Sequence, residues 1–328
     1  MGMLLNTENY DEFTHSEGLK RAYTELEGFS ADINCTSINN LNDIVKSGKI
    51  DSLIRDCEEL QKAQLEAIAR RIINENCQII MLSGPSASGK TTTAKKLAVC
   101  LRKHGKESVL ISLDDYYMER NQLSPNEHGI IDYECISAID VALFQNNLQR
   151  LLQGGAVILP RFCFIEGKRT WQGEPQVLSE NSFVITEGIH GLNPALLAED
   201  VLAKNIFRIF VCPLYPIPEI AVVLRIIRRG LRDCRTRGTS IECTLRMWEL
   251  VKAGETKWIF PFSHKADVVF NSAMLYEPVA LKHEVNLECE KQSCGILTDY
   301  LPTIESADCS LLIPSDSILR EFIGGCSL

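Results

Sequence analysis

Gly84-Pro85-Ser86-Ala87-Ser88-Gly89-Lys90-Thr91 is the stretch whose reading decides the fold. The apolar run Ile79-Ile80-Met81-Leu82 precedes it, and Thr92-Thr93-Ala94-Lys95-Lys96-Leu97-Ala98-Val99 follows. The order is strand, glycine-bounded loop, helix, with the spacing G-x-x-x-x-G-K-[ST]. Glycines let the backbone wrap so closely that successive N–H groups aim at phosphate oxygens. The loop then enters a helix N-terminus, whose unpaired donors and dipole favour an anion. Residues 84–92 are therefore expected to hold the phosphates of a nucleotide. In such a loop Lys90 reaches the β- and γ-phosphates and the Thr91 hydroxyl ligates Mg²⁺. A chance glycine-rich turn is the competing reading, and the flanking strand and helix argue against it.

Outward from the loop, strand patterns alternate with helical ones. Residues 78–83 form a strand, and a helix runs from Gly89 to His104, where Gly105 ends it. A second strand, 108–113, ends in Asp114-Asp115-Tyr116-Tyr117. A polar loop with Pro125 and Gly129 leads to Asp132-Tyr133-Glu134, followed by a helix over 138–152 and a short strand at 156–159. Strand 182–186 ends in Glu187-Gly188, and strand 206–211 ends at Pro213. Helical patterns cover 217–234 and 241–257, before a last short strand at 267–270. This alternation predicts an α/β fold of the P-loop NTPase type, a mostly parallel sheet with helices on both faces. Ligands of such sheets bind beyond the carboxyl ends of the strands. The loop, Asp114, Arg161 to Phe164 and Glu187 should therefore share one rim.

Residues 1–48 are polar, without a sustained period, and read as an irregular N-terminal arm. Over 49–75 the spacing of Leu53, Ile54, Cys57, Leu60, Leu65, Ile68 and Ile72 is helical, and Asp51 or Ser52 can cap the start. This amphipathic helix reads as a brace docked on the central unit, 76–275. Residues 276–328 form a C-terminal extension expected to pack on that unit.

The bulk numbers exclude several classes. The chain has 328 residues, 45% of them hydrophobic and 23% charged, as in a soluble globular protein. Its longest apolar runs fall far short of a bilayer span. The first residues lack a basic region and carry acids early, against a secretory or mitochondrial leader, and Thr7 misses the position that myristoylation of Gly2 wants. A cytoplasmic protein is the expectation. A net charge of −9 disfavours nucleic acid as a partner. Thirteen cysteines are scattered with no C-x-x-C pair, so reduced thiols are expected rather than disulfides or zinc.

Three features add chemistry to the loop. Asp114 should face the phosphates, where a kinase acting on a small hydroxyl needs a proton acceptor. It could instead cap a loop or hold Mg²⁺ through water. Glu187, ending an apolar strand, is placed to complete the Mg²⁺ shell, the alternative being a solvated rim position. His190 is given no role. Arg225 to Gly238 is dense in arginine, which suits a mobile lid closing over a transferring phosphoryl group. A solvated basic helix, or one that binds RNA, is the blander reading.

Taken together the chain resembles the uridine kinase and phosphoribulokinase family of small-molecule kinases. The carriers are GPSASGKTT at 84–92, ISLDDYY at 111–117, IDYE at 131–134, PRFCFIEGKR at 160–169, ITEGIHGLN at 185–193 and RRGLRDCRTRG at 228–238. KWIFPFSHKADVVFNSAMLYE at 257–277 and IPSDSILREFIGG at 313–325 are similar to a bacterial-type nucleoside (uridine) kinase branch. Members of that branch often carry an N-terminal domain related to one in threonyl-tRNA synthetases, for which this chain has too little sequence. The resemblance implies ATP and Mg²⁺ as cofactors and a nucleoside-like small molecule as partner, with no membrane and with a homo-oligomer left open. It implies Lys90, Asp114, Arg228 and Arg232 as catalytic, Asp114 as base on a sugar 5′-hydroxyl, and Arg229 and Arg237 on the nucleotide phosphates. Asp132 matches the aspartate that bonds the ribose hydroxyls, Glu187 the acid near Mg²⁺, and Phe162 the tyrosine of the base pocket. Tyr117 and Arg169 fall with the substrate. Family members follow that aromatic with an aspartate and then a histidine that reads a pyrimidine, but here Cys163 and Gly167 stand in those places. Phosphorylation of the 5′-hydroxyl of a nucleoside such as uridine or cytidine is the expected function. Alternatives are a sugar phosphate or pantothenate-like acceptor, and a nucleotide-binding regulatory module without catalysis.

Overall fold

A computed structural model describes residues 16–125, 131–202, 204–291, 301 and 303–328. Gly2, Thr7 and the loop glycine Gly129 lie outside the described residues.

The described residues form seven strands: β1 (Ile79–Ser83), β2 (Ser108–Ser112), β3 (Arg161–Cys163), β4 (Lys168–Thr170), β5 (Phe183–Glu187), β6 (Ile206–Cys212) and β7 (Val268–Asn271). The helices are α1 (Glu17–Asp32), α2 (Ile38–Lys46), α3 (Ile50–Asn74), α4 (Lys90–Lys103), α5 (Val141–Leu152), α6 (Glu199–Leu202), α7 (Pro218–Thr236), α8 (Ile241–Trp258), α9 (Glu277–Lys291) and α10 (Arg320–Ile323). Five strands form one parallel sheet in the order β2-β5-β1-β6-β7. β1 is central, with Ile80 opposite Ile185 on one side and Phe207 on the other. Alternate residues of a strand point to opposite faces, and here both faces are covered. Ile79 and Met81 pack with Phe144, Leu148 and Leu151 of α5, while Ile80 and Leu82 pack with α3 and α4. That burial on both sides explains the unbroken apolar runs of these strands. It leaves the carboxyl ends as the open rim.

Three local expectations are corrected. The short strand at 156–159 does not form. Val157 makes a single bridge to Gln176 and Ile158 is exposed, so the segment lacks the buried face and the paired neighbour that a strand needs. The paired segments there are β3 and β4, a small antiparallel hairpin. Within the described residues 16–48, the N-terminal arm is helical rather than irregular. α1 buries Leu19, Ala22, Leu26 and Ser30, and packs so closely that a Cβ on Gly18 would meet Val269 of β7 at 2.9 Å. Two of those four positions carry Ala and Ser, which leaves no sustained apolar period along the helix. Ser37 caps α2 by accepting from Asn40 N–H. Finally, Asp51 and Ser52 lie inside the first turn of α3, which begins at Ile50 without a side-chain cap.

The chain after β7 returns across α3 and α4. The Tyr276 hydroxyl donates to Glu58 of α3 at 2.8 Å, and Lys96 of α4 donates to the Asp316 carbonyl at 2.9 Å. Leu301, Ile313, Leu319 and Phe322 join α7, α8 and α9 in one core. No helix of the described residues is long and apolar enough to cross a membrane. The described cysteines are free thiols, and burial pushes Cys57 and Cys212 up to about 12.

Candidate active site

Gly84 is required by proximity, since a Cβ there would stand 1.9 Å from the Val211 carbonyl of β6. Gly89 adopts φ +80°, and a Cβ on it would clash with Ile318 at 2.5 Å. Even Ala87 is left-handed, at φ 57°, a conformation unusual outside glycine. The backbone thus turns sharply three times before α4 begins. Lys90 is folded over the loop, donating to the carbonyls of Gly84 (3.0 Å) and Pro85 (2.9 Å). Burial holds its ammonium below the ordinary value, and the charges of Glu187 and Asp114 oppose that pull.

Opposite the loop stand two carboxylates from neighbouring strand ends. Glu187, at the end of β5, accepts from Thr91 Oγ1 (3.0 Å) and Ser112 Oγ (2.6 Å). Burial, followed by the charge of Asp114, raises its pKa to about 7. Asp114 follows β2 and pairs with Arg237 at 2.8 Å. Its neighbour Asp115 turns away, accepting from Phe162 N–H (3.0 Å) and Arg161 (2.9 Å), and so ties the hairpin to the end of β2. One carboxylate faces the cavity and the other builds its wall.

The loop, Asp114, Glu187, Arg232 and Arg237 enclose a cavity of about 240 Å³. A second cavity of about 250 Å³ adjoins it, walled by Tyr117, Tyr133, Phe162 and Phe164 from one side and by Arg229, Cys243, Thr244 and Met247 from the other. Its rings pack edge to face, Phe162 against Phe164 at 5.3 Å. Tyr117 and Arg237 line both cavities, and the Arg237 guanidinium lies 4.1 Å from the Phe164 ring centroid. A phosphate-sized polar chamber therefore opens against an aromatic one, with Asp114 at the polar side of the junction.

The model of the family described as "Phosphoribulokinase / Uridine kinase family" matches residues 79–276, which include the loop, both carboxylates and the arginine helix. The chain belongs to this family. Curated relatives agree. The uridine kinase of Brevibacillus brevis is 31% identical over 196 residues, 59% of this chain and 84% of the relative. That of Escherichia coli (strain K12) is 30% identical over 199 residues, 60% of this chain and 87% of the relative. That of Aliivibrio salmonicida is 29% identical over 199 residues, 60% and 86%. As a phosphoribulokinase/uridine kinase family member, the chain is an ATP-using small-molecule kinase.

Within this family member the arginines divide. Arg232 and Arg237 reach the phosphate chamber, and Arg229 lines the aromatic one while donating to Ser86 Oγ of the loop at 2.7 Å. Arg228 does not reach either. It is fully buried, held by Glu277 of α9, and donates to the Ala87 (3.3 Å) and Ser272 (3.1 Å) carbonyls. The expected catalytic role for Arg228 is corrected to one of propping the loop from behind, forced by its position between Ile227 and Leu231 on the core side of α7. For the same reason the base of the arginine segment packs in the core as part of α7. Arg169, expected with the substrate, stands elsewhere. It pairs with Asp140 at 2.8 Å, the residue that caps α5, and lies outside both chambers. Asp132 is exposed and accepts from Glu134 N–H at 3.0 Å, likewise outside both linings.

Four contributors carried no expectation. Glu134 lines the phosphate chamber beside Arg229 (3.6 Å), and burial raises its pKa to about 7. Glu255 of α8 accepts from Ser86 N–H at 2.8 Å and pairs with Arg225, clamping the front of the loop. His190 is buried against the backbone of Glu134 and Cys135, and burial lowers its pKa to about 4, so it is neutral. Glu321, from the C-terminal segment, bonds Thr92. The motif IDYE named Glu134; for Glu255 and Glu321, 169 and 229 residues from their partners, nothing local signalled the contact.

Proposed function

We propose that the chain transfers the γ-phosphoryl group of ATP to the 5′-hydroxyl of a nucleoside. The observation that carries this reading is the junction at Tyr117 and Arg237, where the loop chamber meets the aromatic chamber beside Asp114. An acceptor whose flat apolar part stacks among Tyr117, Phe162 and Phe164 would present its hydroxyl toward Asp114. Asp114 takes the proton as the oxygen attacks, and Arg232 and Arg237 offset the charge that spreads over the transferring group. The uridine kinases among the relatives support a nucleoside as acceptor.

The residues also fit a hard divalent cation. Glu187 is a buried carboxylate whose hydrogen bonds come from hydroxyls, those of Thr91 and Ser112, and hard cations prefer such oxygen donors. Thr91 and Glu187 would hold Mg²⁺, which supplies charge neutralisation on the phosphates when bound.

Among the described residues the aromatic chamber is lined by no amide, imidazole or unpaired carboxylate that could read a base edge with two hydrogen bonds. Its polar lining is Thr239, Cys243, Thr244, Tyr133 and arginines, with Asp233 committed to Arg232 at 2.8 Å. A site whose readers are single hydroxyls rather than a bidentate pair discriminates weakly between bases. A panel of acceptors scored by ADP release tests the proposal. Nucleosides should be used, with kcat/KM values for different bases within about 100-fold of one another. Turnover confined to sugar phosphates or pantothenate would overturn it.

A further inference from the structure

The segment around α10 passes directly over the N-terminus of α4. Ile318 is buried against Gly89, and Phe322 lies under the Arg228 guanidinium, 4.8 Å from its carbon, while its carbonyl accepts from Arg235. Lys95 donates to the Leu328 carbonyl and Lys96 to that of Asp316. The segment is thus fastened on both sides of α4 and to α7. From it Glu321 enters the phosphate chamber, where Oε2 accepts from Thr92 N–H at 3.2 Å and from Thr92 Oγ1 at 2.8 Å.

Those two donors are the third residue of a helix that follows a phosphate loop, a seat whose dipole and free N–H favour an anion. Thr92 is 3% exposed, and Glu321, which lines the chamber, takes both its N–H and its hydroxyl. We propose that Glu321 is an internal competitor of the nucleotide: the C-terminal segment is an autoinhibitory strap whose carboxylate must leave Thr92 before a phosphate can take its place. Two anions cannot share one N–H and one hydroxyl at these distances. Release needs only rotation of the Glu321 side chain, which is partly exposed, while Ile318 and Phe322 keep the strap docked. The strap also touches Arg228 and Arg235 of α7, so its position reports on the helix that carries the chamber's arginines. This inference rests on the reading of residues 84–92 as a nucleotide site.

The test is calorimetric binding of Mg-ATP, and of adenosine, to the full chain and to its Glu321→Gln and Glu321→Ala variants, with thermal melts of each. Glu321→Gln keeps size and an acceptor oxygen but removes the charge. The dissociation constant for ATP should fall about tenfold in both variants, with adenosine binding unchanged. Equal or weaker ATP binding in the variants, with a lowered melting temperature, would make Glu321 an ordinary helix cap and overturn the strap. If the unsubstituted chain itself fails to bind ATP, the loop reading falls and takes the strap with it.

Discussion

Asp114 carries the chemical weight of the proposed reaction, and its neighbours make it separable from binding. Its carboxylate contacts Arg237 while the phosphate loop is held by other groups, Lys90 and Glu255 among them. Asp114→Asn keeps a hydrogen-bond acceptor for Arg237 but loses the base. Turnover should therefore fall by about two to four orders of magnitude, with ATP affinity nearly intact by titration. Turnover equal to that of the unsubstituted chain would remove Asp114 from the role. Glu134 makes a different prediction. Burial raises its folded-state pKa from an ordinary 4.5 to about 7, so between those values the unfolded chain releases a proton that the folded chain retains. Stability is then lost as pH rises through that window. Glu134→Gln removes this loss, and its stability advantage should grow from pH 4.5 to pH 7 by on the order of 2–3 kcal/mol. Parallel pH profiles of urea unfolding for the two proteins would contradict it. At this scale the sequence was readable where a residue type has one use, as in the loop. It was not where a charge has two. Arg228 and Arg232 share a helix and a composition, and only their angular position on α7 makes one a strut and the other a chamber wall.

At the scale of elements, the buried Arg228–Glu277 pair joins α7 to α9 and supports the loop through the Ala87 carbonyl. Both side chains are fully buried. Burial disfavours the charged guanidinium, but Glu277 outweighs it and holds Arg228 above its ordinary pKa. Removing one partner of such a pair strands the other charge. Arg228→Met should cost about 3–5 kcal/mol, and adding Glu277→Leu should recover much of it. Urea unfolding of the single and double variants measures this, and equal stability of the two would refute the pairing argument. Strands were easy to read because both faces of the sheet are buried, which leaves runs such as Ile79 to Leu82 uninterrupted. α1 was not readable, since Ala22 and Ser30 alternate with Leu19 and Leu26 on its buried face and break the apolar period. Its helix is decided by what it packs on, the Val269 end of β7.

For the molecule as a whole, the fold and the rim on which the site lies follow from one motif and the alternation around it. The closure of the site does not. Glu255 and Glu321 arrive from α8 and the C-terminal segment, contacts that no local pattern encodes, whereas Tyr117 and Phe162 of the aromatic wall lie in motifs that place them with the substrate. These parts meet in one proposal, that the hydroxyl facing Asp114 is a nucleoside 5′-hydroxyl. The most direct measurement is transfer of label from γ-labelled ATP to a nucleoside and to the same nucleoside lacking its 5′-hydroxyl, with ADP counted in parallel. The account predicts a labelled 5′-monophosphate and matching ADP with the first, and neither above background with the second. Transfer to both, or to neither while another hydroxyl compound is phosphorylated, would contradict it.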